Sequence, residues 1–358
     1  MTAVHSVTGL CLAVLICQVS LNQAASGRPH SSCRYYSPDL ECTESNLEIP
    51  TKFDVSQIPT DIRTIRLNCP NSHHAGVYCN TLKRNAQPFP GRAQLHSVAL
   101  YGFQLDDGAK FLTTALLGNV KQQIDILDIR YSKFTKLDAE SFRGFSALKT
   151  LIIEGNDLVD IAADTFQFLG ARSPILSDIS LGSNRIVSFD WSALKPVADS
   201  LKDLILSNQR GSGLQTLSRS SSSFSLKKLD TLGLNNNKLK TVPKTVLETL
   251  NNYALYSGPY SFKGNPFCPA DPNCGCCELK DFFAWVRESE KNAKGDMRLM
   301  VDYTCGSGAT AKQHLLTVTT AGFDLTTGKP NYINGETAEF NPFPSKNPNT
   351  GRDPCEAA

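Results

Sequence analysis

One pattern of apolar residues returns along most of the chain. Leu229, Leu232, Leu234, Asn237 and Leu239 stand at positions one, four, six, nine and eleven of a segment. The same spacing recurs at Leu148, Leu151, Ile153, Asn156 and Leu158, and at Leu176, Ile179, Leu181, Asn184 and Ile186. Poorer copies start at Ile62, Leu95, Ile124 and Leu201, and a degraded one ends in Tyr260, Phe262, Asn265 and Pro266. Successive copies are offset by roughly 24–33 residues, the size of one supersecondary unit. A unit that small cannot bury its own apolar face. Only a stack of such units makes a continuous core, so the repeats decide the fold before any other feature is weighed.

Positions four and six alternate as in a short strand and point inward. Apolar residues further on, such as Leu137 with Phe142 and Ile161 with Phe166, close the other side of each coil. This spacing resembles that of leucine-rich repeat proteins. The resemblance implies an α/β solenoid, a curved horseshoe with a parallel sheet on its concave face. It also implies that the Asn at position nine turns the chain and satisfies backbone groups inside the coil. That position is Pro70, Phe103, Ser132 and Gln209 in the poorer copies, which predicts an interrupted ladder with irregular turns near the N-terminus.

The ends differ from the middle. Residues 1–26 hold no Lys, Arg, Asp or Glu and carry an apolar run from Val7 to Ile16, which reads as a secretory signal. Polar Gln18, Ser20, Asn22 and Gln23 cut that run too short for a membrane span. Of the 12 cysteines, Cys11 and Cys17 fall in this segment. Cys33, Cys42, Cys69 and Cys79 lie at or before the first repeat, and Cys268, Cys274, Cys276, Cys277, Cys305 and Cys355 lie after the last. In an exported chain these read as two disulfide-stapled ends around a cysteine-free middle. Such ends suit a solenoid, whose terminal units would otherwise expose core. The pairing within each group stays open.

The organisation expected is therefore a signal at 1–26, an N-terminal cap at 27–61 and repeats over 62–264. A cysteine-rich cap follows at 265–305, then a polar extension at 306–358. In that extension Thr317-Val318-Thr319 suggests a short strand, and the Asn/Pro-rich stretch from Asn341 suggests a loose tail. Gly264-Asn-Pro-Phe267, Cys274-Gly-Cys276-Cys277-Glu-Leu279 and Phe283-Ala-Trp285-Val286 resemble the C-terminal cap of extracellular leucine-rich repeat proteins. The spacing of Leu279, Phe282, Phe283 and Val286 is one helical face, expected to lie over the last repeat. Cys-Gly-Cys, Ala-Trp-Val and Cys305-Gly-Ser-Gly308 also resemble secreted arthropod members of that group, among them a non-catalytic subunit of a shrimp luciferase. That likeness implies a stabilising partner for a catalytic chain.

No constellation of catalytic residues stands out. Gly306-Ser-Gly308-Ala-Thr-Ala imitates a dinucleotide fingerprint but opens no βαβ unit. Adjacent His73 and His74, and the Cys274–Cys277 run, lack the further ligands a zinc site needs. No enzyme activity, cofactor or metal is expected. The formal charge of +2 argues against nucleic acid or anionic lipid as partner. No lipid anchor or transmembrane run is expected, and no N-x-[ST] sequon occurs.

What remains is a binding surface. Strand positions two, three, five and seven should face the concave side. These are Arg63, Arg66 and Asn68; His96 and Tyr101; Asp128 and Arg130; Lys149, Thr150 and Glu154; Asp178 and Ser180; Lys202 and Asp203; Asp230 and Asn235. Tyr101 with Arg66 and Arg130 should form an aromatic–cationic cluster of the kind that dominates interfaces. Asp178, Asp203 and Asp230 should form an acidic column. The expected partner is an extracellular protein or glycoprotein. A catalytic chain, a second copy of the chain, or matrix assembly are the other readings.

Overall fold

The computed structural model describes residues 30–45, 48–49, 54–71, 78–82, 94–105, 117–170, 175–220, 223–250, 260–267, 281–282 and 285, with the backbone strands at 299–305, 312–318, 323–324 and 329–330. It is a leucine-rich repeat solenoid. Each repeat adds one strand to a 12-stranded sheet, parallel throughout except at its outermost pairs. Position four forms an unbroken column of facing residues: Ile65, Val98, Leu127, Leu151, Ile179, Leu204, Leu232 and Tyr260. Position six runs beside it from Leu67 through Leu100, Ile129, Ile153, Leu181, Leu206 and Leu234 to Phe262, and both columns are buried.

The sheet reaches past the recognised repeats. Before the first, Asp39–Thr43 pairs in parallel with Thr64–Asn68, setting Leu40 beside Ile65 and Cys42 beside Leu67. Leu40 and Cys42 are buried, so this segment fills positions four and six without carrying the repeat signature. Cys33–Tyr36 folds back antiparallel on it, and a Cys33–Cys42 disulfide joins the hairpin. At the other end, Leu299–Cys305 pairs in parallel with Tyr260–Ser261, and Lys312–Val318 folds back antiparallel on it. The short strand expected at Thr317 is thus the end of a longer one. A hairpin closes each end of the solenoid, so no repeat strand is left as a bare edge.

The far side of each coil carries short elements. Small parallel sheets join Glu48–Ile49, Asn80–Leu82 and Phe103–Leu105, and join Ser188–Asp190 to Thr216–Ser218. Between them Phe142 packs on Phe145 and Phe166, and Trp191 on Phe189. Trp191 is fully buried, and its Nε1–H donates to Thr249 Oγ1 at 2.7 Å, so the large indole leaves no unmet polar group. Phe282 lies on Phe262 and Phe267, with Trp285 against it, as the expected cap contact requires. Phe283 and Val286, expected on the same face, lie outside the described residues.

The ladder of buried amides is longer than the sequence suggested. Asn156, Asn184, Asn237 and Asn265 each donate from Nδ2 to carbonyls of their own and the preceding turn, and each Oδ1 accepts a backbone N–H. Gln209, one of the poorer copies, does the same: Nε2 donates to Leu181 O at 2.9 Å and Leu206 O at 3.1 Å, and Oε1 accepts from Ile186 N at 3.0 Å. The extra methylene is absorbed without losing a bond. Ser132 keeps part of the role, donating to Arg130 O and accepting from Phe103 N. The ladder ends there, because Phe103 is a buried hydrocarbon. The strands beyond it are nonetheless regular, at Thr64–Asn68 and Ser97–Tyr101, so the expected irregularity does not reach the sheet.

Candidate concave binding face

Strand alternation puts positions three, five and seven on the open face of the sheet; position seven closes the strand in the turns of Ile62, Leu95 and Ile124 and lies two residues past it in the later ones. Position eight then takes a left-handed backbone conformation in turn after turn: Gly102, Tyr131, Gly155, Ser183, Asn208, Asn236 and Gly264, with φ between 50° and 74°. That kink sends the chain out of the sheet and aims the position-seven side chain over the concave face. Sequence reasoning missed this column. Its signal was Gly or Asn at one register in five of the seven turns, the residues that tolerate positive φ best. Tyr131 and Ser183 are the exceptions, and the Tyr131 ring rests on Gly155, where a Cβ would come within 2.5 Å of Cδ1.

Position seven supplies the strongest interactions. The Tyr101 hydroxyl donates to Asp128 Oδ2 at 2.7 Å. Arg130 Nε donates to Asp128 Oδ1 at 2.8 Å, and its Nη1 lies 3.2 Å from Glu154 Oε2. The Ser180 hydroxyl donates to the other Glu154 oxygen. The guanidinium also sits 5.9 Å from the centre of the Tyr101 ring. One chain of charge-assisted bonds therefore crosses four adjacent turns. Burial, the bond to Asp128 and its charge push the Tyr101 hydroxyl up to about 12, so it stays a donor. Burial works against the Arg130 cation, but the Asp128 bond and the Asp128 and Glu154 charges outweigh it and raise its pKa.

The cluster differs from the expected one in one member. Tyr101 and Arg130 are neighbours, but their hub is Asp128, which is itself buried. Arg66 pairs across the sheet with Glu41 and Ala99, and only its charge reaches Tyr101. Arg66, at position five, is exposed, and Arg63, His96, Lys149 and Lys202 are exposed at position two, one residue before their strands begin. Asn68 donates to Glu41 Oε1 at 2.9 Å, and Asn235 accepts from Ser207 at 2.6 Å.

The acidic column is real for two of its members. Asp178 and Asp203 face each other in register, while Asp230 stands one residue earlier on its own strand. Thr150 donates to Asp178 Oδ2 at 3.2 Å, and Ser177 donates to the same oxygen. Burial first, then hydrogen bonding and charge from Asp178 and the charge of Asp230, raise the Asp203 pKa against the opposing bond from Thr231. The two carboxylates on neighbouring strands repel each other.

The rim beyond position nine holds a second network. Tyr78, from the long insertion after the first strand, donates to Asp157 Oδ2 at 2.8 Å. Arg210 reaches back over two turns to Asp157 Oδ1 at 3.3 Å, to Ser183 O at 2.8 Å and to the Asn156 carbonyl. The Cys69–Cys79 disulfide fixes the residue next to Tyr78. These two pairings, Cys33–Cys42 and Cys69–Cys79, settle what the sequence left open at this end. Cys268, Cys274, Cys276, Cys277 and Cys355, with His73 and His74, lie outside the described residues; Cys305 is described only as strand backbone. Among the described residues no three His, Cys, Asp or Glu side chains are grouped to hold a metal, and no helix is long and apolar enough to cross a membrane.

No family profile matches the chain. One curated relative, a probable inactive serine/threonine-protein kinase (roco10) of Dictyostelium discoideum, is 33% identical over 87 residues, 23% of this chain and 3% of that one. A solved leucine-rich repeat protein of Leptospira interrogans shares 20% identity at a TM-score of 0.41, over 62% of this chain and 47% of the other. The chain thus spans a small part of the first relative and about half of the second. Its assignment as a leucine-rich repeat solenoid stands on its own register: facing apolar columns, the buried amide ladder and the left-handed column at position eight.

Proposed function

We propose that this is a secreted, non-enzymatic binding protein that recognises an extracellular protein or glycoprotein through the concave face. The observation that carries this reading is the Tyr101–Asp128–Arg130–Glu154 chain. It holds an aromatic and a guanidinium, the side chains richest in interface energy, in fixed positions on an open sheet. Rigid anchors lose little conformational freedom on binding, which favours tight association. Repeat solenoids use such concave surfaces for binding. Disulfides at the N-terminal end suit an oxidising compartment.

The test compares the mature oxidised protein with an Arg66→Glu, Tyr101→Ala, Arg130→Glu variant whose fold is checked by circular dichroism. Both are used to capture partners from native extracellular fluid. A dominant partner lost with the folded variant is the expected result, and its identity separates a receptor ligand from a catalytic chain. A partner retained by the variant moves the site off this face, and no partner at all defeats the reading.

A further inference from the structure

In the last four turns Asp178, Asp203 and Asp230 lie at the sheet, and Asp190, Asp199 and Glu248 lie on the far side of the coil. The segments that leave the sheet, 182–189, 207–218, 235–247 and 263–267, contain no Asp or Glu at all. They carry Arg185, Arg210, Lys238, Lys240, Lys244 and Lys263 instead. Arg185, Lys238, Lys240 and Lys263 are exposed. The small net charge of the whole chain hides this local asymmetry.

Geometry groups these cations. Arg210 N donates to Asn184 O at 2.6 Å and Lys238 N to Leu214 O at 2.8 Å, so successive rim segments stack directly. Strands of one sheet lie about 5 Å apart, within a Debye length of about 8 Å at physiological salt, so neighbouring rim charges act on a ligand together. Between Arg185 and Lys238 the chain inserts Gly211-Ser212-Gly213, with both glycines at positive φ, 65° and 68°. Arg185 Nε lies 3.9 Å from where a Gly211 Cβ would stand, and Lys238 Cγ 2.8 Å from a Gly213 Cβ. The Lys238 stem covers the buried Gly213, while exposed Gly211, beside Arg185, leaves backbone that a ligand can approach closely. Exposed Asn208 and Asn236, joined by a 2.8 Å bond, line the same side. The strip ends at Asp157, which Arg210 neutralises.

We propose that this rim, from Arg185 to Lys263, binds a linear sulfated polysaccharide. A chain of sulfate groups matches a row of cations, and the amides supply further donors. Nucleic acid is a poorer fit, because aromatic side chains for base stacking are absent from the strip's exposed residues. The oxidising compartment that the disulfides suit points the same way. This surface lies off the concave sheet and stands whether or not that face binds protein.

The test measures fluorescence anisotropy of a labelled heparin oligosaccharide with the full oxidised protein. Arg185→Glu with Lys238→Glu should weaken binding at least about tenfold, because two attractive charges become repulsive. Lys133→Glu with Lys136→Glu, on an earlier turn, should leave it within about twofold, and Arg185→Lys with Lys238→Arg should retain it. Added salt and removal of the sulfates should both release the chain. Full affinity in the Arg185/Lys238 reversal, no binding at low salt, or equal affinity for single-stranded DNA of the same length would each overturn the proposal.

Discussion

The two halves of the solenoid solve the same problem with different chemistry. From Asn156 to Asn265 each turn closes on a buried amide that bonds at least three backbone groups. In the turns of Ile62 and Leu95 the same place holds Pro70 and Phe103, and the polar ladder is gone. There the interior is plugged by the fully buried Phe103 ring, a small sheet joins Asn80–Leu82 to Phe103–Leu105, and Cys69–Cys79 ties down the insertion. The amide ladder is repetitive, so any turn can stack on any other. The plug is specific to one place, so the N-terminal turns depend on one side chain.

The largest expected effect breaks that dependence. Phe103→Ala removes a buried aromatic where few neighbours can collapse, at a cost of about 3–5 kcal/mol in urea unfolding. A loss below about 2 kcal/mol would show that the disulfide and strands hold these turns without the plug. Next comes Asn237→Ala, which leaves the Gln209 N–H without its partner and takes one of two amide donors from each of the Leu206 and Leu234 carbonyls, which keep Gln209 Nε2 and Asn265 Nδ2. An unmet buried backbone group costs about 1–3 kcal/mol, and the two weakened carbonyls put the expected total at about 2–3 kcal/mol. Ser132→Ala, at the frayed end of the ladder, should cost about 1 kcal/mol. Equal losses for Asn237 and Ser132 would mean that the ladder does not set the difference between the halves.

The left-handed column sharpens the comparison, since it runs through both halves. Gly155→Ala meets strain twice, from φ of 67° and from the Tyr131 ring, and should cost about 1–3 kcal/mol. Ser183→Gly, in the next turn at φ of 57°, should gain about 1 kcal/mol. Thermal melts of the pair read out the sign. A neutral Gly155→Ala would show that the ring moves aside freely and is not held as an anchor.

What could be read from the sequence follows the same division. Positions four and six were legible because burial there demands one residue type in every turn. The Asn ladder was legible where it is Asn. Gln209 was read as a defect because its amide reaches the same carbonyls only through an extra methylene that the backbone accommodates. The strand at Asp39–Thr43 was hidden because Cys42 stands where position six would hold a leucine and Ser37 where position one would. Asp128 was placed on the concave face, but its role as hub for Tyr101 and Arg130 depends on side-chain reach across strands. Tyr78 on Asp157 joins residues far apart in the chain, which no local pattern announces.

The smallest effect tests the acidic pair against a carboxylate on the other side of the coil. Asp203 has a raised pKa, so the folded protein holds its proton more tightly than the unfolded chain does. Its contribution to stability is full below the ordinary Asp value of 3.8 and is lost as pH rises through the raised value. Asp203→Asn should therefore stabilise at pH 7, by about 0.2–1 kcal/mol for like charges facing across strands, and the gain should vanish on acidification. Asp190 has the opposite sign. Burial would raise its pKa, but bonds from Ser220 and Ser192 overcome this and lower it. Its contribution is present above 3.8 and lost as pH falls through the lowered value. Asp190→Asn should destabilise at pH 7 and become neutral in acid. Unfolding of both variants against wild type from pH 7 to pH 3 gives two difference curves of opposite sign. Curves of the same sign would show that Asp178 and Asp203 do not repel, and that the concave column is already neutralised by its own hydroxyl donors.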